Sequence, residues 1–127
     1  SFDTLLKNSD YISLHCSLTS STKHMINKDT LSLIKPTAFI INTSRGALID
    51  EKALVEALKN HTIAGAGLDV QEEEPPKEDS PLYQLDNVIL TPHIGWKGLE
   101  TRQRLVSILA NNIKAYLEGS PINVVSK

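Results

Sequence analysis

Phe39-Ile-Ile-Asn-Thr-Ser-Arg-Gly-Ala-Leu-Ile-Asp50 decides how this chain is read. A short apolar run ends in Asn42, Thr43 and Ser44, presents Arg45, turns at Gly46 and enters an Ala- and Leu-rich segment after Asp50. That pattern predicts a buried strand over 38–42, with a helix over 51–60 behind it and Asp50 as its N-cap. In open α/β sheets ligands sit outside the carboxyl ends of the strands. Arg45 therefore stands where an anionic substrate would be held, and its planar fork suits a carboxylate. A lone loop arginine is more often simply solvated, so the weight of this reading rests on its neighbours.

Working outward, Phe2, Leu5 and Leu6 predict a short helix over 1–8, followed by an alternating strand from Tyr11 to His15. Ser17 to His24 is a polar loop, and a short helix is expected from Asn27 through Ile34, stopped by Pro36. Downstream, the small residues of 63–70 predict a strand that neighbouring backbone approaches closely. An acidic loop over 71–86 carries Pro75, Pro76 and Pro81; a strand over 87–90 is broken at Thr91-Pro-His-Ile-Gly95. The longest helix is expected over 97–118, with Leu105, Ile108, Leu109, Ile113, Tyr116 and Leu117 at three and four spacing, capped by Gly119 before Pro121. Strands alternating with helices of ten residues or more imply a parallel sheet and an α/β class.

At 127 residues, one domain with a real core is expected. With 22% charged residues, a formal charge of −2 and no basic block, neither a nucleic-acid nor a membrane partner is expected. No apolar run approaches the ~20 residues of a membrane helix. The single cysteine, Cys16, suits a reducing, cytoplasmic compartment. No secretory signal opens the chain, and the absence of Met at its start is expected of a stretch from within a longer protein.

If the strands are parallel, those ending at Asn42, Asp69 and Leu90 share one rim. They deliver Arg45, then Asp69 and Glu74, then His93. An arginine, a carboxylate and a histidine suit proton-coupled chemistry on an oxyacid, with the arginine anchoring and the histidine moving the proton. Each has a plain alternative: His93 as a loop cap, Glu72-Glu73-Glu74 as a solvated acidic turn, Asp69 as a turn cap. His15, His24 and His61 are read as structural or exposed, and Cys16 as a small filler. The histidines lack the spacing of a metal site, and no Gly-x-Ser-x-Gly nucleophile is present.

Asn42-Thr-Ser-Arg-Gly46, Leu68-Asp-Val70 with Glu74-Pro75, and Thr91-Pro-His-Ile-Gly95 resemble, in order and spacing, the D-isomer-specific 2-hydroxyacid dehydrogenases. The resemblance runs from the strand at Tyr11 to Pro121-Ile-Asn-Val124. It implies the second half of a Rossmann-type doubly wound parallel sheet in a three-layer α/β/α arrangement, so that residues 1–127 are part of an NAD(P)-binding domain. It also implies reversible reduction of a small 2-keto acid to a D-2-hydroxy acid with NAD or NADP. Arg45 would bind the substrate carboxylate and carbonyl, His93 would be the acid/base, and Glu74 would orient and charge it. Cys16, Thr43, Ser44, Arg45, Asp69, His93, Gly95 and Trp96 would line the cofactor, with Asp69 facing the nicotinamide carboxamide. His93-Ile-Gly-Trp96 followed by Leu99 to Leu105 looks most like the glycerate dehydrogenase (hydroxypyruvate reductase) branch.

Two positions depart from the pattern: Ser17, where the family usually has proline, and Gln71, where it often has an aromatic. The phosphate-binding Gly-x-Gly-x-x-Gly is missing, and Gly65-Ala-Gly67 sits within a strand and does not replace it. These residues alone are expected to show little or no catalysis. The strand at Tyr11 would be an open edge, closed by self-association, such as a homodimer, or by companion residues. The alternative reading is a dinucleotide-sensing corepressor-like module, which proteins resembling this family also form.

Overall fold

The computed structural model describes residues 1–125, which divide into two units meeting between His93 and Ile94. In the first, α1 (Phe2–Asn8) is capped by Ser1, whose hydroxyl accepts the Thr4 N–H at 3.3 Å. There follow β1 (Tyr11–Leu14), α2 (Lys28–Leu31), β2 (Phe39–Asn42), α3 (Glu51–Lys59), β3 (Gly65–Leu68) and β4 (Val88–Leu90). The four strands are parallel and lie in the order β1-β2-β3-β4. Leu14, Asn42, Leu68 and Leu90 stand level in the register, so the strand ends form the single rim that the sequence implied.

Side-chain alternation separates the two faces of the sheet. Ile12, Leu14, Ile40, Asn42, Ala66 and Leu68 are buried. The apolar ones join Leu31 of α2 and Leu54, Val55, Ala57 and Leu58 of α3 in one core. The opposite face carries Tyr11 and Phe39, stacked with ring centroids 5.7 Å apart, and Ile89, all exposed. The expected N-cap of α3 is present: the Asp50 carboxylate accepts the Ala53 N–H at 3.2 Å. The small residues of β3 permit close approach, since a Cβ on Gly65 would lie 2.6 Å from the Asn87 carbonyl oxygen.

Several elements differ from expectation. The helix expected from Asn27 through Ile34 stops at Leu31, and Leu33 and Ile34 donate to carbonyls three residues back, at 3.1 and 3.2 Å, in the tighter 3₁₀ manner. The connections between strands are not helices of ten residues or more. That role falls to four-residue α2 and nine-residue α3, and β3 reaches β4 through a loop whose only helical turn is 3₁₀, over Pro81–Gln84. Prolines 75, 76 and 81 deny that loop the backbone donors of a helix, while its length still spans a parallel crossover. The strand expected over 63–70 is confined to Gly65–Leu68.

The second unit contains α4 (Leu99–Leu117), which ends in a Schellman motif. Gly119, at φ +75°, donates to the Tyr116 carbonyl at 3.1 Å, and Ser120 donates to that of Ala115 at 2.9 Å. No residue of α4 is buried, its repeated Leu105, Ile108, Leu109, Ile113, Tyr116 and Leu117 included. No helix among the described residues is long and apolar enough to cross a membrane.

Candidate active site

The Arg45 loop is shaped by the residue that ends β2. Asn42 is almost fully buried, and its side-chain oxygen accepts the Ser44 N–H at 3.1 Å while its amide donates to the Arg45 carbonyl at 2.9 Å. This is an Asx-type turn built by a side chain in place of backbone pairing. Ser44 extends the anchorage sideways, its hydroxyl donating to the Leu14 carbonyl at the end of β1 at 2.7 Å. Thr43 and Arg45 are exposed. One guanidinium nitrogen of Arg45 donates to the Ser44 carbonyl at 2.7 Å, which uses one of the five N–H groups of the fork.

At the end of β3, Asp69 is buried and accepts a short hydrogen bond from the Thr91 hydroxyl. Its backbone carbonyl accepts the His93 N–H at 2.8 Å, which ties the Thr91-Pro92-His93 turn to β3. His93 has a left-handed backbone, φ +52°, but so do His24 and His61, so that conformation by itself marks no function. The imidazole does more. His93 Nδ1 lies 2.7 Å from Glu74 Oε2, and the other oxygen of Glu74 accepts the Gln71 N–H at 3.0 Å. Both side chains are more than a third exposed. They open onto a cleft of about 490 Å³ lined also by Tyr83, Leu90, Thr91 and Pro92. A larger hollow, about 930 Å³, borders His24, Glu72 and α3 and includes neither Arg45 nor His93.

Electrostatics link the arginine to this pair. Burial pushes the Glu74 carboxyl up, but the bond to His93, the Gln71 N–H and the charges of His93 and Arg45 together outweigh it, and the group rests below its ordinary 4.5. A lowered carboxylate pKa stabilises the folded chain above the ordinary value, and this stabilisation is lost as pH falls through the folded value. In urea denaturation, the stability gap between the native chain and Glu74→Gln is thus expected to be full near about pH 6 and to narrow below about pH 4.5. A gap that stays constant down to about pH 3.5 would contradict the assignment.

The structure thus bonds His93 to Glu74 within the first unit and ties the His93 backbone to Asp69, while Arg45 is linked to Glu74 through its charge and does not line their cleft. Cys16 is partly buried near the end of β1, its thiol 3.6 Å from the Met25 sulfur. Gly95 and Trp96 belong to the second unit, where the guanidinium of Arg102 lies 5.6 Å from the Trp96 ring centroid.

Residues 1–95 match the family described as D-isomer specific 2-hydroxyacid dehydrogenase, NAD binding domain. The chain belongs to that family. Among its relatives are a glyoxylate reductase of Thermococcus litoralis, 52% identical over 99% of this chain and 38% of the relative. A hydroxypyruvate reductase of Blautia hydrogenotrophica is 48% identical over 98% of this chain and 39% of the relative. The solved structure of an acyclic imino acid reductase (Bsp5) in complex with NADPH and D-Arg superposes with a TM-score of 0.91. It is 42% identical and covers 99% of this chain and 40% of that one. The chain therefore spans about two-fifths of the length of the relatives it matches.

The rim presents buried Asp69, the Ser44 loop and the His93 turn at the carboxyl ends of parallel strands, the place at which open α/β sheets hold their ligands. No glycine-rich strand-to-helix turn is present to cradle a pyrophosphate. Sequence reasoning passed over Asn42, whose place at a strand end before Thr-Ser-Arg-Gly was the available signal. It also passed over Thr91, the partner of Asp69, and the pairing of Glu72 with His24, for which no local signal exists.

Proposed function

We propose that this chain is the nicotinamide-facing part of the cofactor domain of an NAD(P)-dependent D-2-hydroxyacid dehydrogenase. Its substrate is a small 2-keto acid of the glyoxylate or hydroxypyruvate kind. The observation that carries the proposal is the 2.7 Å bond between His93 and Glu74, on a carboxylate that also feels the charge of Arg45. The names of the relatives support the substrate class.

In this reading the dinucleotide, NAD or NADP, supplies or accepts the hydride at the substrate's C2. The chain's own residues do the rest. Arg45 holds the substrate carboxylate with the free N–H groups of its fork and polarises the carbonyl. Glu74 holds Nδ1 of His93, so that Nε2 is left to give a proton to the carbonyl oxygen. In the oxidative direction the neutral imidazole takes the proton back from the hydroxyl. Asp69, Thr43, Ser44 and Cys16 line the nicotinamide side.

The test is NADH and NADPH oxidation by the complete protein with glyoxylate and hydroxypyruvate. Turnover with either acid is expected, and its absence with both cofactors overturns the reading. Arg45→Lys is expected to raise KM for the keto acid by about 10- to 100-fold, the worth of one hydrogen bond to a charged group. Unchanged KM and kcat would remove Arg45 from substrate binding.

In the whole protein the open edge of β1 is paired, by a second copy or by further chain. Exposed Tyr11 and Phe39 beside that edge support this. A concentration-independent monomer in sedimentation, with freely exchanging β1 amides, would contradict it. The free Cys16 thiol is consistent with the cytoplasm.

A further inference from the structure

Glu72, Glu73 and Glu74 form an acidic run in the sequence, but each carboxylate has its own partner. Glu73 pairs with Lys77 at 3.0 Å on the surface, where such a pair contributes little. Glu74 holds His93. Glu72 reaches His24, 48 positions away in sequence, with 2.8 Å between Oε1 and the imidazole Nε2. Its second oxygen accepts the Glu51 N–H at 3.3 Å, and its own N–H donates to the Glu51 carboxylate at 3.0 Å. Both Glu72 oxygens and its backbone are thereby committed to two other segments of the chain.

Those segments frame the site. The His24 segment is laid along the Arg45 loop by three backbone bonds: His24 N–H to the Ala47 carbonyl, Ile26 N–H to that of Leu48, and Asp50 N–H to that of Ile26, at 2.9, 3.1 and 2.8 Å. Glu51 opens the helix that follows Arg45. On the other side, Glu72 lies two residues before Glu74, and Gln71 donates its N–H to Glu74. The two loops also touch directly, since a Cβ on Gly46 would fall 1.9 Å from the Gln71 carbonyl oxygen. The pairing of Glu72 with His24 and Glu51 is the side-chain fastening across that seam.

We propose that Glu72 is a positioning residue, locking the loop that carries Arg45 against the loop that carries Glu74. His24 is its fixed counterpart. Its kinetic consequence rests on the dehydrogenase reading, because the spacing it sets is that between the anchor of the substrate and the orienter of the proton donor. Misplacement by about 1 Å costs up to about 100-fold in rate.

The test compares Glu72→Ala, Glu72→Gln, His24→Ala and His24→Gln in the complete protein, using steady-state kinetics and amide hydrogen exchange. Glu72→Ala is expected to raise KM for the keto acid and lower kcat, each by about tenfold. Glu72→Gln keeps one acceptor oxygen in place of two and is expected to fall between. His24→Gln, whose amide can still donate to Glu72, is expected to recover most of the loss seen in His24→Ala. A purely structural role would lower the melting temperature and the active fraction while leaving KM per folded molecule unaltered, and that result overturns the proposal. If the native protein turns over no keto acid, the dehydrogenase reading falls separately. Exchange then decides the positioning: the hydrogen-bonded amides of His24, Leu48 and Gln71 lose protection in Glu72→Ala if it holds, and unchanged protection refutes it.

Discussion

Replacing His93 by Ala in the complete protein is expected to lower kcat by about 10²- to 10⁴-fold, the usual worth of general acid/base catalysis. In the dehydrogenase reading, proton transfer falls on this one ring. Glu74 occupies Nδ1 at 2.7 Å, so Nε2 alone is left to exchange a proton with the substrate oxygen. No other histidine is placed to take over: His24 is held by Glu72, His15 by Ser13 at 2.7 Å, and His61 precedes β3, at the amino ends of the strands and opposite the rim. The fold should survive, because the side chain is more than a third exposed and its backbone bonds to Asp69 and Thr91 do not involve the ring. Turnover at saturating cofactor and keto acid is the measurement. A kcat within a few-fold of the native value would remove His93 from proton transfer.

What the sequence made legible was local or repeated. The apolar run before Arg45, the Asp50 cap and the small residues of β3 each carry their structural reason within a few positions, and each element appears. Arg45, Glu74 and His93 could be named because three motifs stand in a fixed order. What remained hidden depends on chain segments meeting. Glu72 looked like one more solvated carboxylate because its partner is 48 positions away. Asn42 looked like a strand terminus, although its side chain supplies both bonds that shape the Arg45 turn. The acidic stretch after β3, by contrast, was legible as a loop from its prolines, and the structure adds to it only the 3₁₀ turn over Pro81–Gln84.

Gly46→Ala is the substitution expected to do the most damage for the smallest change. The added Cβ would lie 1.9 Å from the Gln71 carbonyl oxygen, 2.0 Å from its carbon and 2.4 Å from the Glu72 nitrogen. All three are backbone atoms, so no side chain can swing aside, and the two loops have to part. Overpacking of this kind costs about 1–3 kcal/mol or more, because backbone shifts replace rotamer changes. The displacement also falls across the seam between Arg45 and Glu74, so kcat/KM should drop by about 100-fold or more. Gly67→Ala is the control: its Cβ would meet nothing nearer than an Ile41 side-chain carbon at 4.0 Å, and near-native stability and kinetics are expected. If Gly46→Ala melts and turns over like Gly67→Ala, the two loops are not held in contact, and the convergence of arginine and histidine on one substrate loses its structural basis.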